Sequence, residues 1–531
     1  MQENPPYFLS GSILIYQMLS DIHTKVSIME TDTGVHILGV LIGNPLSRKL
    51  LAGMSIYCED CGGNRLEVAL EQYLGLRSDA CYKCRIAEKE IAFILRTGAK
   101  NFGVTEEDLK KTFRDAYWRK GLLSVIKGIS EFGVRRPFVP GAPFQVVWDV
   151  THRCNLRCQH CYASAGKPME DELTTGEALD LIDRLSRMGV AVIAFSGGEP
   201  LVRPDILQLI RHARDCGIYV AVATNGTLIT PEKARQLHEA GAEYVQISID
   251  GADAKTHDEF RGIQGCFERT LTGVRNAVAE GFFVNISTTA TKANYEQIPK
   301  IIDLCNELGV NWVMAYNFVP TGRAQNITEN DLSPQEREDL LQMLFEKNKT
   351  SRCQVLTTAP QFARVALQHT HAGPSDLCAV QGEDSDFSPG NRTMVPTHFC
   401  NMEVNGALFG LTEFVGGCGA GRFYMAIRAN GDIDPCVFFP KTVGNVRTSD
   451  LEELWLHNEL FENLRNKDKI DGSCGSCEFR YHCGGCRARA YGYYGDPLAP
   501  DPGCMNNIEY YTALRLTRDM NRPTGQAADK S

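Results

Sequence analysis

The chain has no surplus of positive charge. Of its 531 residues, 55 are Lys or Arg and 65 are Asp or Glu, a formal net charge of −10. That balance argues against nucleic acid as a partner, because phosphate binding needs a basic surface. Long apolar runs are missing as well. The uncharged stretch at residues 4–20 begins with Pro5 and Pro6 and carries several polar residues, so it falls short of a bilayer span. It reads as a buried or docking segment, with contact to a membrane surface as the lesser alternative. The opening MQENPP has no basic region, and the apolar stretch from Tyr7 lacks a small-residue cleavage site. A secretory leader is therefore not expected, and the expected location is the reducing cytoplasm. Thiols there serve as metal ligands rather than disulfides. With 43% hydrophobic and 23% charged residues, the composition is neither disordered nor collagen-like.

What the chain does have is 20 cysteines, most of them in short, fixed spacings. Residues 1–142 carry Cys58, Cys61, Cys81 and Cys84 as C-x2-C-x19-C-x2-C. Helical spacing at residues 66–74 and 84–97 predicts two CxxC hairpins that face each other. A tetrahedral set of four thiolates suits zinc or a single iron. Structural zinc is the favoured expectation, because such sites commonly hold small lobes together. The stretch FGVRRPFVPGAP at residues 132–143 reads as a linker.

Residues 143–330 change character. Apolar runs beginning at Phe144, Val190, Tyr219, Tyr244, Phe283 and Trp312 alternate with amphipathic helical stretches such as 176–188 and 298–308. Such strands with helical crossovers predict an α/β fold whose parallel sheet is covered on both faces. Right-handed crossovers wind it into a barrel or an open sheet. Six strands are too few for the usual eight-stranded barrel. Residues 331–399 then read as a helix at 334–348 and a turn-rich stretch at 373–396, a surface excursion or a lid. A second cysteine-dense module spans 400–515, and 516–531 is a polar, fraying tail.

Directly after the first predicted strand stands THRCNLRCQHCY, with Cys154, Cys158 and Cys161 in CxxxCxxC spacing. This is the C-terminal end of a parallel strand, where α/β folds place their sites. Three thiolates from one loop suit an iron–sulfur cubane and leave its fourth iron open to a small molecule. After the second strand come Ser196, Gly197, Gly198, Glu199 and Pro200. The glycines permit close backbone approach, and exposed backbone and carboxylate groups can accept a ligand ammonium. Thr224, Asn225 and Gly226, and then Ser248 and Asp250, fall at the corresponding mouth positions of the next strands.

The segments CNLRCQHC and SGGEP, supported by ATNG, SID and FRGIQGCFERT, resemble the radical SAM superfamily over roughly residues 144–325. The resemblance implies a partial (β/α)6 barrel in which S-adenosylmethionine chelates the open iron of a [4Fe-4S] cluster held by Cys154, Cys158 and Cys161. It places the backbone and Glu199 of the GGEP segment at the methionyl amine, Ser248 and Asp250 near the ribose, and Arg261 at the methionyl carboxylate. One electron then cleaves the sulfonium to a 5′-deoxyadenosyl radical that abstracts hydrogen from substrate. Such chemistry implies a reducing partner such as ferredoxin or flavodoxin.

The C-terminal set Cys418, Cys436, Cys474, Cys477, Cys483, Cys486 and Cys504 resembles a SPASM domain, which in full form carries two auxiliary [4Fe-4S] clusters. The resemblance assigns Cys418, Cys436 and Cys486 to the first and Cys474, Cys477, Cys483 and Cys504 to the second. Cys400 is the candidate fourth ligand of the first, unless substrate binds there; structural zinc is the bland alternative for the module. Sulfatase-maturing members place an acid after the cysteine matching Cys436; Val437 stands here, so that activity is not expected. No cobalamin-binding segment is apparent. The leading expectation is oxidative modification or cross-linking of a peptide or protein side chain. The alternatives are a small cofactor precursor such as a tetrapyrrole, or a lipid, and then a non-catalytic metal scaffold. Acid–base candidates are Asp376, Asp384, Asp386 and His398. Cys216, Cys266 and Cys305 read as core residues, Cys353 has no further reading, and Cys378 is a weak active-site candidate.

Overall fold

The computed structural model describes residues 44–102, 105–369, 393–396, 401–404 and 412–520. The expectations at residues 4–20, Asp376, Cys378, Asp384, Asp386, His398 and Cys400 lie outside them. No helix among the described residues is long and apolar enough to cross a membrane.

In the N-terminal lobe, β1 (Tyr57–Cys58) and β2 (Gly63–Asn64) form a hairpin that pairs Cys58 with Gly63. Gly62, at φ 65°, takes the left-handed conformation that turns the chain just after Cys61. Helices Arg65–Tyr73 and Tyr82–Phe102 follow, so Cys84 sits in a first helical turn. Two facing hairpins were expected; the structure has one hairpin facing a helix N-terminus. Leu66, Leu70 and Ile91 pack against Leu122 and Leu123 of helix Ala116–Phe132.

The expected linker is a packed seam. Residues 137–144 are buried, and a Cβ on Gly128 would come within 2.3 Å of the Val139 carbonyl. Phe138 and Phe144 donate backbone N–H groups to Phe414 and Phe423, and the Trp455 indole donates to the Pro140 carbonyl at 3.0 Å. Glycine and proline mark close packing here as readily as they mark flexibility.

The expected strands form as β3 (Gln145–Asp149), β4 (Val192–Ser196), β5 (Tyr219–Thr224), β6 (Tyr244–Ser248), β7 (Phe283–Ala290) and β8 (Trp312–Asn317). β9 (Gln354–Thr357) continues the series beyond what the sequence pattern marked. All lie parallel in sequential order. Sequential order with right-handed crossovers places the connecting helices on one face and curls the sheet into a partial barrel. Helix Thr175–Met188 shows how the crossovers are bounded: Thr174 and Glu177 form a capping box, and Gly189 closes the helix at φ 99°.

β10 (Thr393–Pro396) and β11 (Asn401–Val404) pair with each other. β12 (Tyr424–Ile427) joins the free edge of β3 in parallel, and β13 (Asp432–Asp434) and β14 (Gly444–Asn445) extend it antiparallel. The large sheet thus runs through both barrel and C-terminal module. Val146, Trp148, Ile193, Phe195, Val245 and Ile247 pack beneath the helices. Their neighbours Gln145, Val147, Ala194 and Ser196 face an interior cavity, so only one face of the sheet is helix-covered.

Candidate functional site

The loop after β3 is closed on itself: Gly166 donates to His152 O at 2.9 Å and Cys154 to Gly166 O at 3.1 Å. It is also clamped from three sides. Glu172 accepts from the His152 N–H at 2.7 Å and from Thr151 Oγ1 at 3.0 Å. Gly198 donates to Thr151 O and Glu199 to Arg153 O, at 2.8 and 2.9 Å. Arg323 donates to Cys158 O at 2.8 Å and to Ala165 O at 2.7 Å. Cys154, Cys158 and Cys161 share one small apolar group with Leu156 and Cys266. Burial pushes the Cys154 thiol up to about 12 and raises Cys158 too, with Arg261 opposing. A bound cation reverses that preference and favours thiolate.

Glu199 is fully buried and receives the backbone N–H of Leu201 at 3.1 Å, Thr224 Oγ1 at 2.7 Å and the backbone N–H of Asn225 at 2.8 Å. It therefore joins the mouths of β4 and β5. A carboxylate has about four acceptor positions, so these donors leave room for one more. Asn225 Nδ2 donates to Asn155 Oδ1 at 2.7 Å, tying the same turn to the cysteine loop. Gly197, at φ 128°, has no room for a side chain: a Cβ would lie 2.4 Å from Thr151 O. Pro200 is buried and opens a short 3-10 turn.

Arg261 lies over the cysteine loop, with Nη1 3.6 Å from Cys158 Sγ and Nη2 2.6 Å from Asp250 Oδ2. Asp250 has no exposed surface and also accepts the Thr289 N–H at 2.7 Å. His160 approaches Asp250 at 3.4 Å and stacks on Phe260. Asp250 is thus enclosed and holds Arg261 and His160. Ser248 is half-buried and meets Ser287 Oγ at 3.2 Å.

The barrel interior is a cavity of about 230 Å3. Tyr162 and Ser196 bound it near the cysteine loop, Tyr117 and Phe144 close its floor, and Cys418, Cys436 and Cys486 form its C-terminal wall. None of its described lining residues is charged. Tyr162 donates to Asp149 Oδ1 at 2.9 Å, and burial pushes Asp149 up to about 6. Tyr424 donates to Cys436 Sγ at 2.7 Å. Cys474, Cys477, Cys483 and Cys504 line a separate small cavity, where Asn507 Nδ2 lies 3.2 Å from Cys474 Sγ. Among the described residues, the seven C-terminal thiols therefore fall into two groups. Between them, burial pulls the Lys467 ammonium down to about 8.

Sulfur spacing distinguishes the sites. Cys58, Cys61, Cys81 and Cys84 have all four sulfurs within 4.8 Å of one another, with Cys58 and Cys81 at 3.6 Å. A tetrahedral ion with metal–sulfur bonds of about 2.3 Å puts sulfurs about 3.8 Å apart, so this set fits one ion. The Cys81 thiol is pulled down to about 6, first by the Cys84 N–H. Neither the Cys154 loop nor the C-terminal cysteines draw three sulfurs within 4.8 Å among the described residues. That wider spacing, with the snug glycine turn beside Cys154, fits a bulkier cluster.

Several working residues carry no sequence signal of their own. Arg323 follows β8 inside an ordinary Thr-Gly-Arg turn, Lys467 sits in a charged stretch, and Tyr117 lies far from the motifs. Cys266, Cys305 and Cys353 are buried, whereas Cys216, expected in the core, is partly exposed with its thiol 3.4 Å from Asp183.

Residues 148–305 match the profile of the Radical SAM superfamily, and residues 418–478 match SPASM, an iron–sulfur cluster-binding domain. An AdoMet-dependent heme synthase of Methanosarcina barkeri is 37% identical over 366 residues, which is 68% of this chain and 97% of the relative. Mycofactocin maturase MftC of Mycobacterium tuberculosis is 33% identical over 72% of this chain and 88% of its own length. The structure of Streptococcus suis SuiB bound to precursor peptide SuiA superposes with a TM-score of 0.57 at 19% identity, covering 83% of this chain and 92% of that one.

Proposed function

We propose, from the premise that this chain belongs to the radical SAM superfamily and is an enzyme with a SPASM domain, that it oxidatively modifies an uncharged side chain of a peptide or protein. S-adenosylmethionine and iron–sulfur clusters are its cofactors. When bound, they supply the 5′-deoxyadenosyl radical for hydrogen abstraction and one-electron acceptors for oxidation.

The remaining assignments concern the chain's own residues. Cys154, Cys158 and Cys161 hold the radical cluster, and Arg323, Glu172 and Gly198 fix their loop. The backbone of Gly197 and Gly198 and the spare acceptor position of Glu199 receive the methionyl amine. Arg261, held by Asp250, faces the methionyl carboxylate, and Ser248 and Asp250 lie near the ribose. Cys418, Cys436 and Cys486 hold one auxiliary cluster, and Cys474, Cys477, Cys483 and Cys504 the other. Cys58, Cys61, Cys81 and Cys84 hold a single zinc away from the reaction. A small reducing protein such as ferredoxin or flavodoxin delivers the electron.

The observation that carries the substrate reading is the cavity. Its aromatic and neutral polar lining suits an uncharged side chain reaching between the cysteine loop and the Cys436 wall. Its volume of about 230 Å3 is below the ~300 Å3 lower end for drug-sized ligands. Buried carboxylates would lack cations to pair with.

A second reading, a carboxylated tetrapyrrole, is favoured by the 37% identity to a heme synthase. The deciding experiment supplies the anaerobic holoenzyme with deuterated peptides encoded beside its gene or with deuterated Fe-coproporphyrin III. Deuterium in 5′-deoxyadenosine from the peptides alone supports the proposal. Transfer from the porphyrin alone replaces it with the second reading.

A further inference from the structure

The two C-terminal cysteine groups meet at one point. Gly417 directly precedes Cys418, and Gly484 directly follows Cys483. A Cβ on Gly417 would come within 2.7 Å of the Cys483 carbonyl, so the two backbones touch. Lys467 ends in this contact. A Cβ on Gly484 would lie 2.7 Å from its Nζ, and one on Gly417 would lie 3.3 Å away.

The ammonium is also without a hydrogen-bond partner among the described residues, and Lys467 is 1% exposed. Of the other buried cations nearby, Arg422 is engaged through its whole guanidinium, and Arg487 is engaged through Nη1 while its Nη2 has no partner among the described residues. Arg422 donates to the carbonyls of Phe138, Val415 and Gly416. Arg487 donates to those of Pro497 and Ala499. A buried charge left unpaired is costly, so Lys467 needs an anion in contact with it. The anionic groups that flank it are the sulfur sites of Cys418 and Cys483, and the guanidinium groups of Arg422 and Arg487 stand on its other sides.

We propose that Lys467 is a positioning residue, the buried counter-charge shared by the two auxiliary clusters, and that it raises their reduction potentials. The proposal rests on the ligand sets given above. Uptake of one electron adds one negative charge beside the ammonium, so the cation favours the reduced form. A neutral side chain at this position makes both clusters harder to reduce, while the radical cluster in the barrel is unaffected.

The test uses reconstituted full-length protein, with iron content and an EPR-monitored titration with dithionite. Wild type should hold about twelve irons, for three cubanes. Lys467→Met should keep that iron and shift the auxiliary midpoints to more negative potential, and Lys467→Arg should restore them. If Lys467→Met instead loses auxiliary iron that Lys467→Arg retains, the same requirement for charge is met. Full iron with unshifted midpoints in Lys467→Met overturns the role of Lys467 alone, as does equal iron loss in both variants, which would mean a packing role. A wild type near four irons overturns the cluster reading and this proposal with it.

Discussion

Gly198→Ala probes how tightly the glycine turn fixes the cysteine loop. The backbone of residue 198 needs no left-handed conformation, so the effect is one of contact. An added Cβ would lie 2.3 Å from Arg153 O, 2.7 Å from Arg153 C and 2.9 Å from His152 O, all backbone atoms. Relieving the closest contact to the 3.4 Å of ordinary van der Waals distance requires a movement of about 1 Å. The 2.9 Å hydrogen bond from Glu199 to Arg153 O stretches with it. Overpacking of this kind costs about 1–3 kcal/mol, and a misplacement of about 1 Å near the chemistry costs about 100-fold in rate. The assay is 5′-deoxyadenosine formation under dithionite, followed by chromatography, with urea unfolding measured alongside. Stability should fall modestly, cleavage should fall about a hundredfold, and auxiliary iron should stay. A variant that cleaves S-adenosylmethionine at the wild-type rate would show that the turn does not position the loop.

Asp149 makes a pH prediction. Its carboxyl titrates near ~3.9 when unfolded, and burial pushes it up to about 6 in the fold. Between these values the folded chain holds a proton that the unfolded chain has lost. Its contribution therefore falls by about 3 kcal/mol as pH rises through that window and is flat above it. Asp434, also pushed up to about 6, acts in the same direction, so the readout is the difference between wild type and Asp149→Asn in urea unfolding of the apoprotein. Asp149→Asn should remove most of that fall, and parallel curves would refute it. At the N-terminal site, Cys84→Ser should lose one zinc by elemental analysis with iron unchanged; loss of one iron instead would identify the ion as iron.

Much of the fold was legible because β3 to β8 are largely apolar runs that alternate with amphipathic helices. β9 was not, since QVLT is too short to stand out from its helical neighbours. The seam at residues 137–144 was misread because its Pro and Gly composition is that of a loop, while its burial depends on Phe414, Phe423 and Trp455, distant in sequence. In the site, cysteine spacing announced the ligand candidates, whereas their supports did not show. Arg323 acts on carbonyls of a loop far from it in sequence, and such a partnership exists only after folding. Asp250 drew notice only by its position just after β6, and its pairing with Arg261 was equally invisible before folding.

The central claim is that the thiols after β3 support reductive cleavage of S-adenosylmethionine. The most direct measurement is the yield of 5′-deoxyadenosine and methionine from anaerobically reconstituted wild type and Cys158→Ala, with iron counted in both. Wild type should give the two products in equal amounts with about twelve irons, and Cys158→Ala should give neither while keeping about eight. Cleavage by Cys158→Ala at the wild-type rate would contradict the account.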